Sequence, residues 1–402
     1  MQVLVVTSKY LPEYTGASYR IHNTYKRLRE KNPSLNFTVI CSSIEYTNSE
    51  QYEYEGINII RIGAGKLSLN NNNAISPFFD VFVAYRQALL AYRYFDSSVD
   101  LVHVIGSSGL TAAAVMWAYF HDIPLVVELV TIGASVQYTL PGISYFWQPT
   151  CAGRVAIVAI SEALAKKSEE QGFSRKIWSR PNPIDEMKFF PLFSSKHLLR
   201  KKLTKYSETD IVLVQVAKFM PQKNQLFLIE VLSKLPKRYK LVLAGPIVGD
   251  GALKKRDKNY IDKVSYEIKK YKLEDRVTVE LNFVDTANYI RLADVYVLPS
   301  YSEGLGTPML ESIACGVPVV ANSNEEAFNQ WIRNGKNGFL VEMSADCWVK
   351  SVQKAILLNR DDLQFESDRI RKIAGTDIID QGYFDLFNKL IETPAGENFT
   401  LS

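Results

Sequence analysis

Short apolar runs alternate along the chain with longer segments of mixed, helix-like pattern. The runs Val3 to Val6, Phe37 to Cys41, Ile57 to Ile62, Leu101 to Ile105, Leu125 to Val130 and Val155 to Ile160 are nearly continuous rather than alternating in polarity. Strands of that kind are covered on both faces, which is the condition of a parallel sheet between two layers of helices. A second series follows in Ile211 to Val216, Lys240 to Ala244, Val277 to Glu280, Val295 to Leu298, Val317 to Ala321 and Gly338 to Val341. The chain therefore reads as α/β, two doubly wound Rossmann-like domains in tandem. The join lies at Pro181-Asn182-Pro183-Ile184-Asp185, where two prolines interrupt regular structure, or in the segment running to Lys205. The expected division is an N-terminal domain over 1–190, a C-terminal domain over 191–376, and a crossover helix and tail over 377–402. In the last of these, the helical pattern Asp377 to Ile391 crosses back to the first domain.

A length of 402 residues supports the division, since single cores stop growing beyond roughly 250–300 residues. Hydrophobic residues at 47% and charged residues at 22% describe a packed globular protein and exclude extended disorder. The balance of 47 basic against 43 acidic side chains is too even to predict nucleic-acid binding. The four cysteines, Cys41, Cys151, Cys315 and Cys347, form no zinc-binding spacing and read as reduced, mostly buried thiols of a cytosolic protein. Met1 to Val6 lacks a basic leader and is too short for a signal peptide, so it reads as a first strand and the expected location is cytoplasmic. Ala112 to Phe120 falls short of the ~20 residues of a membrane-spanning helix.

Candidate chemistry concentrates in Pro299-Ser300-Tyr301-Ser302-Glu303-Gly304-Leu305-Gly306-Thr307-Pro308-Met309-Leu310-Glu311, directly after the run Val295 to Leu298. Its glycines allow a ligand close to the backbone before Thr307 caps a helix with Pro308 at its first position. A helix N-terminus beside such a loop attracts phosphate. Glu303 falls in the loop and Glu311 about one turn into the helix, where carboxylates accept hydrogen bonds from ribose and sugar hydroxyls. The plain alternative is a helix start with a solvated loop charge. A second feature shifts the balance: Val216-Ala217-Lys218-Phe219-Met220-Pro221-Gln222-Lys223-Asn224 places two lysines at the carboxyl end of a strand, where they can neutralise a diphosphate without metal.

Lys218 to Asn224, the Glu303 and Glu311 pair, Asp294 to Ser300 and Ala314-Cys315-Gly316-Val317-Pro318-Val319-Val320 together resemble the family 4 retaining glycosyltransferases of the GT-B fold. Asn334-Gly335-Lys336-Asn337-Gly338-Phe339-Leu340-Val341, Ser161 to Leu164 and Pro181 to Asp185 extend the resemblance over essentially the whole chain. It implies two domains facing a cleft and transfer of a sugar from UDP- or GDP-sugar to an acceptor hydroxyl in glycan, polysaccharide or glycolipid synthesis. It further implies that Lys223 and Lys218 contact the donor diphosphate, that Glu311 holds the ribose and Glu303 the transferred sugar, and that the backbone of Leu305, Gly306 and Thr307 cradles sugar and phosphate. Gly245 resembles a position lining the nucleotide pocket. The family usually has arginine where Lys218 stands; lysine keeps the charge and loses the planar fork.

The N-terminal half, where the resemblance places the acceptor, departs further. Thr15-Gly16 stands for the family's paired glycines, and Gly16 serves either close backbone approach or a turn. The family's histidine after the run Leu125 to Val130 is missing; Glu128 either replaces it or pairs structurally with a nearby cation. His103 at a strand end reads as a satisfied structural histidine. No Asp-x-Asp motif is present, so no metal or other cofactor is expected beyond the nucleotide sugar. The absence of GxGxxG argues against a nicotinamide dehydrogenase, whereas a GT-B epimerase or phosphorylase and a silent glycosyltransferase-like subunit remain alternatives. A glycan or a lipid-linked molecule is the expected acceptor. Phe78, Phe79, Phe82, Tyr85, Leu89, Tyr92 and Phe95, with Arg86 and Arg93, and the basic residues Lys26, Arg27, Arg29 and Lys31 raise peripheral association with the inner membrane face, although most of that aromatic stripe reads as core.

Overall fold

The computed structural model describes residues 1–65, 77–131, 133–139, 146–247 and 251–401. The chain divides into two compact units, Met1–Asn182 with Asp377–Ser402, and Pro183–Thr376.

The first unit carries β1 (Gln2–Thr7), β2 (Asn36–Ser42), β3 (Glu50–Tyr54), β4 (Ile57–Ile62), β5 (Leu101–Ile105) and β6 (Leu125–Leu129). It continues with the two-residue strands β7 (Tyr138–Thr139) and β8 (Phe146–Trp147), which pair separately, and ends with β9 (Val155–Ala159) and β10 (Ile177–Ser179). The large sheet has the order β10-β9-β6-β5-β1-β2-β4-β3. Every residue of β5, β6 and β9 is buried, as continuous apolar runs demand. The strand β3, which the apolar runs did not reveal, is polar (Glu-Gln-Tyr-Glu-Tyr) because it lies at the sheet edge, antiparallel to β4. Its hairpin turns on Glu55 and Gly56, both at positive φ (46° and 81°), which suits the two-residue turn of a tight hairpin.

The helix Thr376–Glu392 supplies Ile379, Tyr383, Leu386, Phe387 and Leu390 to the same core as Val3, Tyr25 and Val126. Gly382 lets it sit flush: a Cβ there would lie 2.4 Å from the Trp178 ring. The C-terminal helix therefore belongs to the first unit, as the crossover pattern predicts.

The second unit carries β11 (Ile211–Val216), β12 (Tyr239–Ala244), β13 (Val277–Glu280), β14 (Val295–Leu298), β15 (Val319–Asn322) and β16 (Gly338–Val341), all parallel, in the order β13-β12-β11-β14-β15-β16. Numbered within the unit this is 3-2-1-4-5-6, the Rossmann order. Strand β15 begins two residues later than expected, because Pro318 accepts a bond from Tyr296 but has no N–H with which to join the ladder. The cysteine expectation is corrected: Cys41 and Cys315 are buried, Cys347 is intermediate and Cys151 is exposed. Among the described residues no helix is long and apolar enough to cross a membrane.

Candidate active site

In a 3-2-1-4-5-6 sheet the connections depart to opposite faces on either side of the first and fourth strands, and a crevice opens beyond their carboxyl ends. In the second unit these strands are β11 and β14, paired through Leu213 with Val295 and Val214 with Tyr296. The lysine loop follows the one and the Glu303 loop follows the other. Their residues are stitched across 80 positions of sequence: the Tyr301 N–H donates to the Gln222 carbonyl at 2.9 Å, Gln222 Nε2 donates to the Ser302 carbonyl at 2.6 Å, and Lys223 Nζ donates to Glu303 Oε1. The two charges face each other in a largely enclosed place, with 20% and 10% of their side chains exposed.

Lys223 ends a short 3₁₀ turn begun by Pro221, and Asn224 takes the left-handed conformation (φ 53°, ψ 45°) before the helix Gln225–Lys234. Asparagine tolerates that region better than most residues. Lys218 is half-buried in the same loop. Gly245, after β12, has φ +156°, and a Cβ would lie 2.0 Å from the Ala217 carbonyl oxygen, so the start of the lysine loop can pack there only against glycine. On the other loop, the Glu303 N–H donates to Glu325 Oε2 at 2.8 Å, and burial pushes the Glu325 carboxyl up.

The helix Thr307–Ala314 starts differently from the expectation. Gly306 (φ 77°, ψ 52°) is its cap, Thr307 is its first residue and Pro308 its second. A left-handed cap position favours glycine, and a Cβ at Gly306 would also meet the Phe328 ring at 2.6 Å. Leu305 is buried, with 2% of its surface exposed. Glu311 is partly exposed, and burial pushes its pKa up to about 7, against the opposing pull of Lys188. Tyr296 ties the site together, its hydroxyl bonded to both the N–H and the carbonyl of Val216 at 3.2 and 3.0 Å, so β14 cannot slide on β11 without losing both bonds. Sequence reading missed Tyr296, Glu325, Gln215 and Gln225. Only Gln215, polar inside the apolar run Ile211 to Val216, carried a legible signal.

In the first unit Glu128 is fully buried and accepts from Arg20 Nη2 (2.7 Å), Arg180 Nη2 (2.8 Å), His103 Nε2 (3.1 Å) and the Tyr383 hydroxyl (2.6 Å). Burial alone would raise its pKa; the two guanidiniums and the imidazole outweigh it and hold the carboxyl well below the usual range. Burial lowers His103, which is therefore neutral, and its Nδ1 lies 2.8 Å from the Tyr25 hydroxyl. That hydroxyl and Glu128 place the imidazole proton on Nε2. Gly16 is the first residue of the helix Gly16–Lys31, capped by Thr15, and a Cβ there would meet open space.

Two surface expectations are corrected. The basic cluster is occupied within the unit: Lys26 pairs with Glu55 (2.8 Å), Arg27 with Asp380 (2.7 Å) and Lys31 with Asp377 (2.6 Å), while Arg29 donates to the Gly56 carbonyl. The aromatic stripe is not mostly core, since Phe82, Leu89 and Tyr92 are 55%, 73% and 50% exposed. The helix Pro77–Ala91 packs against Gly109–Phe120 over part of its surface and leaves these positions outside. The side chains of Phe78 and Phe79 lie outside the described residues.

Two Rossmann-like domains, the second with lysines and carboxylates at its switch point, are the parts of the GT-B fold. Residues 195–371 match the model of the glycosyl transferases group 1. Among curated relatives, the chain is 31% identical over 170 residues to an Escherichia coli UDP-Gal:alpha-D-GlcNAc-diphosphoundecaprenol alpha-1,3-galactosyltransferase, a match spanning 42% of each chain. It is 23% identical over 343 residues to an uncharacterized glycosyltransferase of Methanocaldococcus jannaschii, covering 85% of this chain and 84% of the relative. Among solved structures, Anabaena HepE in complex with UDP superimposes with a TM-score of 0.71 at 16% identity, covering 96% of this chain and all of that one.

Proposed function

We propose that the protein is a retaining, metal-independent glycosyltransferase that moves a sugar from UDP- or GDP-sugar to an acceptor hydroxyl. The observation that carries this reading is the meeting of Lys223 and Glu303 at the switch point of a Rossmann-ordered sheet. Lys223 and Lys218 serve as the cations for the donor diphosphate. As the bond to the anomeric carbon breaks, the diphosphate gains negative charge, and preorganised cations and backbone N–H groups stabilise that charge more than they stabilise the bound donor. Glu303, relieved of Lys223 by the phosphate, accepts from a sugar hydroxyl, and Glu311 accepts from the ribose. Gly245 and the backbone of Leu305, Gly306 and Thr307 line the donor. Retention follows from attack on the face the leaving group vacates, without a protein nucleophile, as the family 4 resemblance implies.

Gly16 borders the acceptor side. Glu128 acts there through Arg20, since its own oxygens are enclosed. The acceptor is a glycan or a lipid-linked molecule at the cytoplasmic face of a membrane. The E. coli relative, by its name, acts on a diphosphoundecaprenol-linked sugar, and the exposed Phe82, Leu89 and Tyr92 suit a protein that works beside lipid.

A thermal-shift screen of UDP-, GDP- and ADP-sugars followed by product analysis tests the reading. A ligand at a hundredfold excess over its Kd stabilises the folded state by about 2.7 kcal/mol. The expected products are a glycosylated acceptor with retained anomeric configuration and free nucleoside diphosphate, formed equally well in EDTA. Turnover that needs no acceptor, or that EDTA abolishes, sinks the proposal.

Glu311 adds a pH dependence. With a folded-state pKa near 7, raised from the usual 4.5, the group contributes stability below about pH 4.5 that is lost as pH rises through 7. Donor recognition runs the opposite way, because only the ionised carboxylate accepts from both ribose hydroxyls. The KM for donor is expected to fall severalfold between pH 6 and pH 8. In Glu311→Gln that dependence disappears and thermal stability at pH 8 rises; an unchanged pH profile in the variant removes Glu311 from the donor site.

A further inference from the structure

We infer that Gln215 and Gln225 are positioning residues that set the two lysines of the Ala217–Asn224 loop against the donor diphosphate. The inference rests on the donor site proposed above and goes beyond it in naming what holds the lysines in place.

Gln215 is the one polar residue in the strand Ile-Val-Leu-Val-Gln-Val, and only 1% of it is exposed. Its Nε2 donates to the main-chain carbonyl of Lys223 at 2.8 Å. Gln225, also 1% exposed, opens the helix Gln225–Lys234, and its Nε2 donates to the main-chain carbonyl of Lys218 at 2.9 Å. One bond ties Lys223 back to the strand before the loop, and the other ties Lys218 forward to the helix after it. The two cross each other's span and bracket the loop at both ends. The amide orientation follows from the partners, because exchanging nitrogen and oxygen would set two carbonyl oxygens against each other.

Each of these buried amides leaves its Oε1 without a hydrogen-bond donor among the described protein atoms. Burying an unpaired carbonyl oxygen is unfavourable, and an apolar side chain of the same shape would avoid it. An apolar side chain would in turn leave the carbonyl of Lys223 or Lys218 without this donor, so the amide brings little net stability. What the amide alone supplies is a donor to the main chain of each lysine. A lysine side chain is long and flexible, so it delivers charge to a chosen point only if its Cα is already held. Pro221, the left-handed Asn224 and the close contact of Gly245 with Ala217 hold the rest of the same loop.

The test uses the full chain with Gln215→Leu, Gln225→Leu, Gln215→Leu combined with Lys223→Ala, and Gln225→Leu combined with Lys218→Ala. Affinities for UDP, GDP, uridine and guanosine are measured by calorimetry or competition, with a melting curve for each variant. Melting temperatures are expected to change little, because each variant removes one unpaired oxygen and takes the donor from one main-chain carbonyl. Diphosphate affinity is expected to fall about tenfold while nucleoside affinity is unchanged, and Gln215→Leu is expected to add nothing once Lys223 is alanine. Unchanged diphosphate affinity overturns the inference. So does a parallel loss of diphosphate and nucleoside affinity, or a loss additive with that of the lysine each glutamine holds, Lys223 for Gln215 and Lys218 for Gln225. Should Gln215→Leu fail to fold, Gln215→Met removes the donor with a more adaptable side chain, and Gln225→Leu carries the same test through Lys218. Wild-type protein that binds neither UDP nor GDP overturns the donor reading itself, an outcome distinct from wild-type binding that the glutamine variants leave untouched.

Discussion

Lys223→Ala is expected to lower turnover about a hundredfold, a loss of ~3 kcal/mol in transition-state stabilisation, by analogy with removal of a single oxyanion donor. In the proposed reaction the charge matters most as the diphosphate departs, so the loss should fall mainly on kcat, with a smaller effect on donor binding. Lysine at this place is held against Glu303 in a site where 20% and 10% of the two side chains remain exposed, so water screens it little. Lys223→Arg keeps the charge and should recover part of the rate. Steady-state kinetics with saturating donor and acceptor, alongside binding of the nucleoside alone, checks both statements. A Lys223→Ala enzyme that turns over at the wild-type rate would leave the proposed chemistry without its cation.

Glu128→Gln is expected to destabilise the first unit by about 3–5 kcal/mol, because it leaves two guanidiniums buried without their counter-charge. Arg20 and Arg180 both direct Nη2 at Glu128 Oε1, while His103 and Tyr383 take Oε2. The Tyr383 bond comes from the C-terminal helix, so the same carboxylate helps hold residues 377–402 to a strand whose Glu128 lies 255 residues before Tyr383. The sign with pH follows from the depressed pKa of Glu128. Its contribution is present above the unfolded value near 4.5 and is lost as pH falls through the lower folded value, so wild-type and variant melting curves converge in acid. Calorimetry carried from pH 7 as far below the unfolded value as the fold survives measures this; curves equally far apart throughout the acid range would mean the carboxylate charge is not what stabilises the cluster.

The two results differ in how far the linear chain foretold them. The lysines and the Glu303 loop were visible as motifs because each is local: a strand that ends, a turn that needs glycine, a helix that starts. The partners of Glu128 were not, since Arg20, His103, Arg180 and Tyr383 are scattered over most of the chain and share no spacing. The basic residues between Lys26 and Lys31 looked like a surface patch for the same reason: three of the four find carboxylates and Arg29 finds a carbonyl, and a sequence does not show where those partners fold to. The aromatic stripe failed differently. Its helical periodicity was read correctly as a helix, but periodicity does not say how much of a helix is covered, and neighbours leave Phe82, Leu89 and Tyr92 outside.

The sequence by itself determined the two-sheet α/β architecture, the positions of the buried strands and the chemical character of the two loops, because strand burial and turn geometry are written in neighbouring residues. Only the tertiary structure decided that the loops meet, with Lys223 on Glu303 across 80 residues, and that Glu128 is an interior anchor. Sheet order sets those encounters, and order arises from packing between distant segments, for which no local pattern of residues stands as a record.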